Sequence, residues 1–226
     1  MSVVVIQLKP HEELFYRIVR EKITRLDALV LCEGFSDAEV AKRVLRKVKQ
    51  VAPLRGAEQV VVGFTDCGGK DNVPFLAGAL LALSRLARKL KSVLVIIDAD
   101  EYTAEDKVRS FSDSLASKKN ALEVQLGNFR RDSECGQVYT SKIMVGGRVL
   151  KLVVAVNGDF SMPFRRHCLE DHCANLMGIS ASEAVESAKH LIGDLSECLR
   201  RVEEAGAETV CKAFEHMCRA FQLILA

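Results

Sequence analysis

Two stretches decide the fold: DALVLC at residues 27–32, which runs into Glu33-Gly34, and SVLVII at residues 92–97, which runs into Asp98-Ala99-Asp100. Each is a short apolar run rich in Val, Leu and Ile with little alternation, the pattern of a parallel strand covered on both faces. A third such run, QVVVGF at 59–64, ends in the turn-like Asp66-Cys67-Gly68-Gly69. Helical patterns lie between these runs. Ser36 and Glu39 have capping-box spacing and predict a helix from there to about Val51, with Pro53 just past its end. Val73–Leu90 and Ala104–Lys119 predict two more. Strand and helix thus alternate three times, which specifies an α/β fold with a mostly parallel sheet and right-handed crossovers.

Further along, 137–145 and 148–157 flank Gly146-Gly147, a hairpin turn that adds an antiparallel pair at one edge. From Cys168 onward the pattern is helical, with a second capping-box spacing at Ser180 and Glu183. Val210, Phe214, Met217 and Phe221 form an apolar stripe on the last helix, suited to the core or, less well, to a homo-oligomer contact. The expected organisation is an α/β domain over 1–165 with a helical extension over 166–226.

Composition narrows the classes of function. Of 226 residues, 49% are hydrophobic and 27% charged, and the net charge is only +2, so a polybasic protein is excluded. No stretch reaches the roughly 18 apolar residues of a membrane span, and the apolar run at Val3–Ile6 lacks the basic flank of a secretion signal. Eight cysteines occur without a C-x-x-C pair. The expectation is a cytoplasmic protein with reduced thiols, the disulfide-rich intracellular proteins of hyperthermophiles being the exception.

The chemistry sits at the strand ends. Ligands of parallel sheets bind beyond the carboxyl ends of the strands, where strand order switches. If the first and third strands are neighbours, Glu33, Asp98 and Asp100 converge there, and in an extended segment Asp98 and Asp100 face the same way. Clustered carboxylates repel one another; a hard divalent cation removes that cost, and oxygen-only donors select magnesium or manganese over zinc.

Leu31-Cys32-Glu33-Gly34-Phe35-Ser36-Asp37 and Ile97-Asp98-Ala99-Asp100-Glu101, about sixty residues apart with helix, strand and helix between, resemble the TOPRIM fold of topoisomerases, bacterial-type primases, OLD-family nucleases and small ribonucleases. The core likeness spans roughly 27–120. Gly68-Gly69-Lys70-Asp71-Asn72, Arg109 and Met162-Pro163 before Leu169-Glu170-Asp171 are similar to a small stand-alone archaeal and bacterial branch of TOPRIM-like proteins. The resemblance implies Glu33 as general acid or base or as a mobile ligand, and Asp98 and Asp100 as magnesium ligands. It also implies Glu170 or Asp171 as a late carboxylate for a second metal, and a nucleic-acid partner, DNA or RNA. The chain lacks the ATPase half of an OLD nuclease, the tyrosine domain of a topoisomerase and the zinc-binding portion of a primase. What the likeness leaves is a stand-alone nuclease module or a non-catalytic binding module.

Plainer roles compete at several positions. Asp37 lies in a first helical turn, where negative charge suits the dipole, and Glu101 can be simply solvated. Lys70 could bind phosphate or belong to a surface turn, and Arg109 could neutralise phosphate or pair with a nearby acid. An Asp-x-Asp pair also serves haloacid-dehalogenase phosphotransferases, but there it follows the first strand. His167-Cys168 and His172-Cys173 carry zinc-type donors without a second pair at finger spacing, which favours packing roles. Arg130-Arg131, Arg165-Arg166 and the basic side of the first helix could contact phosphates, with solvation as the commoner use. The aromatic content is low, without Trp, and marks no stacking platform.

Overall fold

The computed structural model describes residues 3–8, 22–51, 59–74, 77–78, 87–117, 124–179 and 185–226. Its described strands are β1 (Val3–Gln7), β2 (Ala28–Cys32), β3 (Val60–Asp66), β4 (Ser92–Asp98), β5 (Val124–Leu126), β6 (Arg130–Arg131), β7 (Val138–Val145) and β8 (Arg148–Asn157). The described helices of four or more residues are α1 (Phe35–Val51), α2 (Ala104–Ser117), α3 (Leu169–Met177), α4 (Lys189–Ile192), α5 (Leu195–Glu204), α6 (Ala207–Ala213) and α7 (Glu215–Leu225). Most of the Val73–Leu90 helix and the Ser180/Glu183 spacing lie outside the described residues.

The strands form one mixed sheet in the order β1-β3-β2-β4-β8-β7-β5, with β6 on β7. The pairings from β1 through β8 are parallel, and β7 returns antiparallel to β8. Gly146 (φ 55°) and Gly147 (φ 77°) supply the left-handed pair that a two-residue hairpin turn demands. β2 sits between β3 and β4, so the chain steps one way after β2 and crosses back to form β4. The switch point therefore falls between β2 and β4.

All seven residues of β4 and all five of β2 are buried, because both faces are covered. One face packs Leu29, Leu31, Val93 and Val95 against Val108, Phe111 and Leu115 of α2. The other packs Val30, Leu94 and Ile96 against Val40, Val44 and Val48 of α1 and the C-terminal helices. That double cover is why neither run alternates. β1, read from sequence only as an apolar run, extends the sheet beside β3.

Four expectations need correction. α1 starts at Phe35, so Ser36 lies inside the helix; the Asp37 carboxylate accepts from Gly34 N at 2.9 Å, while Glu39 pairs with Lys42 and Arg43. The last apolar stripe spans two helices, broken at Phe214 (φ −116°, ψ 46°). Its four side chains are buried within the chain, so they offer no contact to a second copy. Part of the basic side of α1 is docked rather than free: Lys47 donates to Glu203 O and Ala205 O, both at 2.7 Å, and Arg43 pairs with Glu203 at 2.8 Å, while Arg46 stays exposed.

The thiols are the fourth. Cys173–Cys198 ties α3 to α5, and Cys211–Cys218 spans the break between α6 and α7. Spacing alone cannot give such connectivity. The first bridge closes 25 residues, for which chain entropy gives about 3.5 kcal/mol. A Cys173→Ser/Cys198→Ser double variant is expected to lose that much in urea unfolding; an unchanged midpoint would place the bridge outside the stabilising contacts.

Candidate active site

At the switch point the β2–β4 ladder runs one residue past β2, with Glu33 N donating to Ile96 O at 3.2 Å. The Glu33 side chain then crosses to the neighbouring strand, where its Oε2 accepts from Asp98 N at 3.3 Å. Asp98 ends β4 opposite Asn157, which ends β8. Asn157 is wholly buried, and its amide nitrogen donates to Asp98 Oδ1 at 2.9 Å and to Asp37 Oδ1 at 3.3 Å. Leu169 N, opening α3, also donates to Asp98 Oδ1 at 3.2 Å.

The orientation of that amide is fixed from behind. His216 Nε2 lies 2.9 Å from Asn157 Oδ1, which makes the histidine the donor. His216 stacks on His172 with ring centroids 4.2 Å apart. His172 accepts from Gly158 N at 3.0 Å on Nε2 and faces Ala213 O at 2.9 Å with Nδ1, so Nδ1 carries its proton. Burial lowers the His172 pKa to about 4, and burial together with the adjacent ring takes His216 well below its usual value. Both rings are therefore neutral at pH 7.

The carboxylates respond to one another. Burial, then Asp37 and Glu33, raises Asp98 well above the ordinary carboxyl range. Burial raises Glu33, opposed by the Asp98 N–H. Asp37 is pushed up to about 7 by burial, with Glu33 and Glu170 adding to the rise. Lys189 supplies partial compensation, its Nζ lying 4.0 Å from both Asp98 Oδ2 and Glu170 Oε2.

A carboxyl raised on folding stabilises below its unfolded pKa, and that contribution is lost as pH rises through its folded value. For Asp37 the window runs from about pH 4 to about pH 7 and is worth about 4 kcal/mol. Asp37→Asn avoids the buried charge. The stability of the metal-free variant relative to the parent is therefore expected to rise between pH 4 and pH 8, read by urea titrations at each pH. A constant difference would remove Asp37 from the electrostatic cluster.

Asp100 departs from the expected arrangement. β4 ends at Asp98 and Asp100 has φ 57°, so the segment is not extended and the two side chains do not share one direction. A backbone bridge with His167 holds this turn. The Asp100 carboxylate meets Lys107 at 2.6 Å, Arg166 at 3.3 Å and Lys70 at 3.4 Å. Burial would raise its pKa, but these three cations outweigh burial and hold it low. Glu33 and Asp100 line the same open cleft of about 680 Å³ with Lys70 and Lys107.

The remaining sites separate. Glu170 faces the cluster through Lys189, whereas Asp171 is buried among other partners: His167 Nδ1 at 2.8 Å, Asp159 N at 3.1 Å and Cys168 Sγ. Neighbouring residues on a helix point about 100° apart, so both could not face one ion. The histidine–cysteine pairs serve packing, with Cys173 in a disulfide. Arg109 pairs with Glu105 and Asp106 and lines a different cleft; Lys107, a cation placed against the dipole in a first helical turn, is the one turned inward. Lys70 ends on Asp100, and exposed Glu101 lies 3.7 Å from Arg166.

Among the described residues no three His, Cys, Asp or Glu side chains form a ready metal-binding group. The donor chemistry nevertheless fits a hard cation. Glu33, Asp37, Asp98 and Glu170 present oxygen alone, and their mutual repulsion is offset by Lys189 and, at Glu33, by Lys107 first.

A sequence family described as "Protein of unknown function (DUF3226)" matches residues 27–222. No curated protein and no solved structure matches the chain.

Proposed function

The chain belongs to the DUF3226 family, and we propose that it is a magnesium-dependent enzyme acting on phosphodiester bonds of nucleic acid, a stand-alone nuclease of TOPRIM type. One observation carries the reading: Glu33 reaches across the β2–β4 switch point to the backbone of Asp98, joining acids 65 residues apart in one carboxylate cluster. In this reading Glu33, Asp98 and Glu170 hold the metal, with manganese as a substitute. Bound magnesium supplies positive charge opposite that developing on the phosphoryl group. Glu33, whose pKa burial raises, is either one of these ligands or the group that takes or returns a proton. Asn157 holds Asp98 in place, and Lys70 and Lys107, gathered by Asp100, line the cleft beside Glu33 and meet the phosphate there.

A non-catalytic TOPRIM-like module is the second reading, favoured by the three cations that neutralise Asp100. Incubation with labelled DNA and RNA in magnesium, manganese or EDTA separates the two. Metal-dependent cleavage supports the enzyme, and salt-sensitive binding without turnover in either metal supports the module.

A further inference from the structure

Three aromatic side chains stand in solvent on the segments that leave β2, β4 and β8, and Tyr102 lines the cleft with Glu33 and Asp100. Phe35, Tyr102 and Phe160 are 65%, 57% and 43% exposed, and among the described residues every other Phe and Tyr is at least partly buried. Each follows a site residue on the segment that leaves its strand: Phe35 comes two residues after Glu33, Tyr102 two after Asp100, and Phe160 three after Asn157. β2, β4 and β8 are adjacent and parallel, so their ends span two strand spacings, about 10 Å, along one sheet edge. Phe35 opens α1 on one face of the sheet and Tyr102 precedes α2 on the other. Phe160 is backed by His167, with ring centroids 4.7 Å apart. Half-exposed Lys70, Arg166 and Lys189 stand at the same edge.

We propose that this edge takes unpaired nucleotides of a single-stranded nucleic acid. Its bases stack on Phe35, Tyr102 and Phe160, and its phosphates meet Lys70, Arg166 and Lys189. The inference rests on the phosphodiester reading and names its substrate class. Bases inside a duplex already stack on one another and offer no face to these rings, whereas splayed bases do. A protein partner suits the edge less well, because the centres of protein interfaces are depleted in charge and here cations and carboxylates alternate with the rings.

The test is fluorescence anisotropy with labelled 20-nucleotide DNA and RNA, single-stranded and annealed, in magnesium. Using the Glu33→Gln protein keeps binding independent of whether any cleavage occurs. Single strands are expected to bind at least about tenfold tighter than duplexes, with DNA and RNA distinguished by the two arms. Phe35→Ala, Tyr102→Ala and Phe160→Ala should each weaken single-strand binding about 5- to 100-fold without changing the log–log salt slope, and Phe35→Tyr should restore it. Lys70→Ala should instead lower that slope by about 0.7. Equal affinity for single strand and duplex, parental affinity in all three alanine variants, or no binding of either form would overturn the proposal. Absent cleavage with intact single-strand preference would instead reject the enzymatic reading alone.

Discussion

In magnesium, Glu33→Gln and Asp98→Asn are each expected to lower phosphodiester cleavage by about 10³-fold or more while the fold survives. Both substitutions keep shape and remove charge. Gln cannot exchange a proton, and acid–base assistance by one positioned group typically contributes 10² to 10⁴. Loss of a carboxylate also weakens the hold on the cation whose charge opposes that of the transition state. Asp98→Asn relieves part of the repulsion with Asp37 and Glu33, so its unfolding midpoint at pH 8 should match or exceed the parent's. Reduced activity together with undiminished stability is the signature of a functional group. Parental rates in both purified variants would remove the carboxylates from the chemistry.

The second large effect concerns Asn157. Asn157→Ala should destabilise the protein by about 3 to 5 kcal/mol, read by urea unfolding. It removes the donor shared by Asp37 and Asp98 and leaves the His216 Nε2–H without its acceptor inside the core. Asn157→Asp should be worse at pH 8 than at pH 5, because it replaces a donor with another carboxylate in the same cluster. A loss below about 1 kcal/mol, or no pH dependence in the Asp variant, would mean that the amide does not bridge the two acids.

The parts of this arrangement that were legible in the sequence are those with local signals. β2 and β4 announce themselves as apolar runs that end in acids, and both ends enter the carboxylate cluster. The Gly146-Gly147 turn fixes the hairpin because few other residues take that backbone twice in succession. The orientation of Asp100 was not legible: alternation holds only while the chain stays extended, and the left-handed backbone at Asp100 ends it. Nor could sequence choose Glu170 over Asp171, since both lie in the first turn of α3 and rotation alone decides which faces the cluster. Asn157 and His216, 59 residues apart, meet only because β8 lies beside β4 with α7 packed behind it. A polar residue ending the apolar run LVVAVN was the available hint, the same signature that marks Asp98. The exposure of Phe35, Tyr102 and Phe160 was not legible either, because composition counts rings without saying which ones stand in solvent.

In the proposed enzyme, acids from two neighbouring strand ends jointly bind a hard divalent cation. Anomalous diffraction from manganese-soaked crystals measures this directly. A peak is expected within about 2.5 Å of carboxylate oxygens from both Glu33 and Asp98, lost in crystals of Asp98→Asn. A fully loaded soak with no peak at that edge, or with manganese bound elsewhere, contradicts it.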